Sequence, residues 1–140
     1  MGGWVTAFTA AHDHGLIAAV PISAADKGQL GGVPREKVVA VMADNLEAVA
    51  AVTAESMADE VIANSKAFSL DNTVAGLTQM PLPVLFADDG LACMTDHLVK
   101  AIGANGGKRV TAIHAATDHG WSDHRIFLES TTINWLAALK

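Results

Sequence analysis

Short apolar runs alternate with longer segments in which apolar residues recur every three or four positions. Three runs, Leu16–Ile22, Leu82–Ala87 and Arg109–Ala115, have the length and composition of buried strands. Pro21 lies inside the first of them, a position tolerated near a strand end or an edge. The helical segments lie between and around these runs. Gly2–Ala11 alternates small and bulky residues by face, and its two leading glycines predict close approach to a strand or ligand. The tetrapeptide His12–Gly15 reads as a helix stop. From Pro34 to Ala63, the residues Val38, Met42, Leu46, Val49, Thr53, Met57 and Val61 form one helical stripe, with a possible break near Asp44–Asn45. Ser69–Gln79 reads as a linker or short helix with Asp71 as its N-cap. Cys93–Ile102 is a helix closed by Gly103, with a turn at Asn105–Gly107. Ser122 is placed to cap a final helix, Asp123–Leu139.

Strands separated by helices predict a parallel sheet with right-handed crossovers, so the fold class is α/β with a short three-stranded parallel sheet flanked by helices. At 140 residues the chain is read as one domain, 1–140, with residues 33–80 as a helical cap or cover segment. Hydrophobic residues make up 51% of it and the mean hydropathy is +0.31, high for so short a chain. Such a chain either buries its apolar surface well or shares it with a partner. A formal charge of −6 and the lack of a basic cluster argue against nucleic acid as a target. No apolar run reaches the roughly 18 residues of a membrane span, and the start of the chain lacks the pattern of a signal peptide. A single cysteine, Cys93, fits a reducing, cytoplasmic setting.

The chemistry concentrates at two strand ends. PVLFADDG closes on the carboxylates Asp88 and Asp89, and TDHGWSDHR sets His119 between Asp118 and Asp123. Parallel strands bring both endings to the same carboxyl-end rim, where open α/β sheets hold their ligands. An acid and a histidine there are two thirds of a hydrolytic triad.

These two segments, and the element order around them, resemble the C-terminal half of an α/β-hydrolase of the prolyl-oligopeptidase or serine-aminopeptidase-like kind. The opening Met1-Gly2-Gly3 is similar to the three residues that follow the serine in that family's nucleophile elbow. The resemblance implies Asp89 as the catalytic acid, with Asp88 as the alternative, and His119 as the catalytic histidine. It implies a chain that starts just after the nucleophile and lacks the first five strands. An orphaned strand edge along Leu16–Ile22 predicts a homodimer, formed through that edge or by swapped N-terminal helices.

Histidine with carboxylates is also a metal first shell. The expected activity is hydrolysis of activated esters, carboxylic or phosphotriester. Hydroxide on Zn²⁺, or on another divalent metal, stands in for the serine, and the ligands are drawn from His119, Asp89, Asp26, Asp88 and His124. A metal-free alternative uses Cys93 or Ser23 with His119 and Asp89, although Ser23 lacks elbow strain in this reading and Cys93 reads as a buried, inert thiol. A third reading is a non-catalytic hydrolase fragment. Trp121 either walls a pocket for aromatic leaving groups or packs on the closing helix. The remaining histidines, His12, His14, His97 and His114, read as helix-end, solvated or strand-face residues.

Overall fold

A computed structural model describes residues 1–46 and 49–139. The central strand, β1 (Leu82–Ala87), is buried on both faces, as a parallel strand covered on both sides should be. It pairs in parallel with β2 (Val110–Ala115), in the register Leu82↔Val110 to Ala87↔Ala115. Both expected strands are therefore present, at almost the expected bounds.

The expected third strand is not formed. Leu16–Ile22 touches the free edge of β1 through one parallel bridge, Ile22↔Leu85. Ser23 N–H donates to the Leu85 carbonyl at 2.9 Å, and Leu85 N–H donates to the Pro21 carbonyl at 3.0 Å. The next rung toward the amino end would need N–H groups from Pro21 and Pro83, and proline has none. Two prolines on the two adjoining edges, each lacking the donor that this rung needs, thus limit the ladder to a single bridge, and among the described residues the sheet has two strands.

Helix α1 (Gly2–His12) buries Ala7, Ala10 and Ala11. This alanine face packs on the short helix α4 (Val74–Leu77). A Cβ on Gly76 would lie 2.1 Å from the Ala11 carbonyl oxygen, so only glycine permits that approach. Gly3 fulfils the expectation drawn from the leading glycines, since a Cβ there would stand 2.2 Å from the carbonyl oxygen of Ile22.

The long stripe beginning at Pro34 divides into α2 (Arg35–Ala43) and α3 (Ala54–Ala63). Val38, Met42, Met57 and Ala58 close a small core between them. The chain leaves α2 at Asp44, next to the possible break. Thr53 caps α3 with a reciprocal capping box to Ser56. Glu47 and Ala48 lie outside the described residues, so the part of the stripe between Leu46 and Val49 does too. Ser69, not Asp71, caps the 3-10 turn Leu70–Thr73 that leads into α4, because its hydroxyl accepts the Asp71 N–H.

Helix α5 (Ala92–Ala104) runs two residues beyond its expected end and carries Gly103 inside it. The reversal comes at Gly106, with φ +88°, and Gly107 N–H closes it onto the Ile102 carbonyl. Helix α6 (Arg125–Ala137) starts later than expected. Ser122 does not cap it: the Ser122 N–H is bound to the Asp118 carboxylate, and His124 occupies the cap position without a side-chain bond.

One face of the sheet carries α1, α4 and α5 around Leu82, Val84, Leu98 and Ile102. The other carries Leu85, Ala87, Ala115 and Trp121, with Leu128 of α6 against them. Helix α6 buries no residue fully, and Ile126 and Ile133 on it are exposed. No described helix is long and apolar enough to cross a membrane.

Candidate active site at the carboxyl rim of the sheet

β1 delivers Asp88 and Asp89 to the rim, and Gly90, at φ +81°, turns the chain toward α5. β2 delivers the loop 116–124. The two rim segments are tied by Asp88 N–H donating to the Thr117 carbonyl at 3.1 Å.

Asp89 and His119 meet across this rim. Nδ1 of His119 lies 2.7 Å from Oδ2 of Asp89, and Asp89 Oδ1 accepts the Leu91 N–H at 2.9 Å. A carboxylate can only accept, so Nδ1 carries a proton, and in the neutral ring the lone pair falls on Nε2. The Asp89 side chain is 4% exposed and the His119 ring 55%. The acid is therefore shielded and fixed, and the imidazole is open to a reactant.

His119 lines a cavity of about 330 Å³ with Ser23, Ile22, Val20, Thr6 and the first residues of α1. The N–H groups of Gly2 and Gly3 lie in the first turn of α1, before the earliest intrahelical bonds, which begin at Trp4 and Val5. Among the described residues neither donates to an acceptor, as is usual at a helix start. Ser23 stands in the left-handed region, at φ +45°. Its hydroxyl accepts the indole N–H of Trp121 at 3.0 Å. The rim serine is thus strained, contrary to the expectation of a relaxed one. No sequence motif marks this, because the strain follows from the single bridge to β1 and from the tie to Trp121. Trp121, also at positive φ, is buried and stacks on Phe127, so of its two expected roles it takes packing.

The other expected ligands are engaged elsewhere. Asp26 is buried, and its Oδ1 accepts N–H groups from Gly28 and Leu70, which makes it a turn cap. Asp88 pairs with Nε2 of His114 at 2.7 Å in an exposed second pair. His124 Nδ1 lies 3.0 Å from Asp123, whose carboxylate also accepts from the Thr117 hydroxyl. That hydroxyl, and then His124, hold Asp123 below the usual carboxylate range. Asp118 is held low by the backbone N–H and then the side chain of Ser122. Of the five expected ligands only His119 and Asp89 stand together, and they engage one another. Among the described residues no three histidine, cysteine or carboxylate side chains gather as a metal site.

Cys93 lies exposed in the first turn of α5, not buried as expected. His97 pairs with Asp71 at the surface. His12 bonds back to the Phe8 carbonyl within α1.

The chain matches no protein-family model, no curated protein and no solved structure.

Proposed function

We propose that this chain is a hydrolase of activated esters in which the Asp89–His119 pair activates water. The carrying observation is that a shielded carboxylate binds Nδ1 of His119, while the half-exposed ring lines a cavity and its Nε2 has no partner among the described residues. In this reading Nε2 takes a proton from water as its oxygen attacks the ester carbon or phosphorus. The oxygen of that ester gains negative charge, and the unspent amides of Gly2 and Gly3 are the nearby donors for it. The leaving group departs as a stable anion, so the substrate is an activated ester. The likeness to the C-terminal half of an α/β-hydrolase supports the same assignment of acid and base.

Zn²⁺ was the expected source of hydroxide. Asp26, Asp88 and His124 are each engaged by other groups, which supports water held by His119 over that ligand set. A second reading makes Ser23 the nucleophile, favoured by its left-handed backbone beside the same cavity.

The assembled form in this reading is a homodimer. Exposed Ile17 beside the thin edge, and Ile126 and Ile133 on α6, are the apolar surface it would cover.

Turnover of 4-nitrophenyl acetate, with and without a chelator, tests the function. Turnover that survives the chelator and is lost in His119→Ala supports base catalysis on water. Loss with the chelator and recovery with Zn²⁺ returns the metal route, and turnover unchanged in His119→Ala sinks the proposal.

A further inference from the structure

A second cavity lies away from the His119 ring, between α1 and the α2–α3 pair. It encloses about 230 Å³. Its walls are apolar: Trp4 and Phe68 on one side, Met42, Met57 and Val61 on the other. The wall is braced, since the Trp4 indole N–H donates to the Phe68 carbonyl at 2.9 Å and the two rings meet edge to face at 5.2 Å. Among these walls lies one cationic side chain, Lys27, at 7% exposure. Among the described residues it makes no ion pair or side-chain hydrogen bond. Two other charged groups border the cavity: Glu60, which is exposed, and the Met1 amino terminus, which burial and then the nearby Lys27 charge hold below its ordinary value.

A cation on so buried a side chain, with no anionic partner among the described residues, gives up part of its hydration without compensation, and burial pushes the Lys27 amine below its ordinary value. A ligand that brings a negative charge to it removes that cost, and an apolar body on the same ligand fills the rest of the space. An apolar cavity of about 150 Å³ is enough for benzene, so this one suits a fused bicyclic ring or a chain of similar bulk.

We propose that this cavity is a binding site for a small amphiphilic carboxylate, its apolar body against Trp4 and Phe68 and its carboxylate on the Lys27 ammonium. The site is independent of the hydrolytic reading. The chain as a whole carries a net charge of −6, so its general field disfavours an anion, and any preference for one requires a local cation.

Calorimetric titration with 2-naphthoate and with 2-naphthalenemethanol, which share one ring system, tests this. The wild-type chain should bind the carboxylate at least about tenfold more tightly, the scale of a hydrogen bond to a charged group. Lys27→Met should bring the carboxylate down to the alcohol, and Lys27→Arg should keep the preference. Val61→Trp, which fills the cavity, should weaken both ligands. Absence of naphthoate binding, equal affinity for both ligands in the wild type, or a preference that persists in Lys27→Met would each overturn the proposal. The wild-type comparison decides it even if Lys27→Met fails to fold.

Discussion

Trp121 donates its indole N–H to the Ser23 hydroxyl at 3.0 Å, and both residues hold left-handed backbone, at φ +57° and +45°. Their bond joins the segment before the cap to the loop after β2, across the end of β1. Two strained positions joined in this way hold the cavity side of the rim in one shape. Trp121→Phe keeps the packing and removes the donor, so a loss of about 1–2 kcal/mol is expected. Ser23→Gly relieves the backbone but orphans the indole N–H, so its net change should be smaller than that of Ser23→Ala, which keeps the strain and also loses the acceptor. Urea midpoints on the three variants check the order.

The acid–histidine pair predicts a specific pattern of activity loss. Asp89→Asn and His119→Ala should each lower ester turnover by about 10²–10⁴-fold, the usual worth of a positioned base. The double variant should lose little more, because the two residues act as a unit. Asp88→Asn and His114→Ala, on the exposed pair, should leave turnover near wild type. Initial rates on one activated ester measure all five proteins, and equal losses at both pairs would contradict the choice of Asp89.

Ser23 makes its own prediction. If water is the nucleophile, Ser23→Ala retains turnover, and no acyl group is found on the protein after a burst with substrate. Mass spectrometry of the quenched reaction reads this directly, and an acyl adduct on Ser23 would transfer the role to the serine.

Acid should loosen the rim loop first. Asp118 and Asp123 are both held low, by Ser122 and by Thr117 respectively. A carboxyl with a depressed folded pKa contributes stability that is present above its unfolded value, about 3.9, and is lost as pH falls through the folded value. Asp118→Asn and Asp123→Asn should therefore flatten the fall of urea stability below about pH 4. Lys27 works in the opposite range. Its folded pKa is lowered by burial, so the unfolded chain binds the extra proton and stability rises with pH up to about 10.4. Lys27→Met should remove that rise.

Self-association is checked by native mass. A species twice the 14.5 kDa chain is expected, and Ile126→Glu with Ile133→Glu should return the monomer, because a charge on each exposed isoleucine opposes burial there.

The residues explain why some of this was legible in advance and some was not. The apolar runs around Val84 and Ile113 announced β1 and β2 because a strand buried on both faces must be apolar throughout. Asp89 and His119 were legible as a pair because parallel neighbours share a carboxyl rim, whatever packs behind them. Leu16–Ile22 carried the same apolar signature and still formed only one bridge, since the loss depends on Pro21 and Pro83 falling on the same rung of the ladder, and register is not local. Ser69 displaced Asp71 as a cap, and His124 took the cap position expected of Ser122 without a side-chain bond, for a similar reason: which residue stands at a helix start is set by where the preceding loop lies.

By itself, then, the sequence determined β1, β2 and the helices around them, the order in which they come and the rim that holds the acid and the imidazole, but not whether Leu16–Ile22 becomes a strand. Those properties follow from each segment's own backbone preferences and apolar face. Only the tertiary structure decided that Ser23 is strained against Trp121, that Asp26 is spent on backbone amides, and that Lys27 sits buried beside Trp4 and Phe68. Each of these depends on at least one partner far along the chain (Trp121, Leu70 and Phe68 in turn), brought near by docking of α1, the cap helices and the sheet, and no local pattern encodes which groups will meet there.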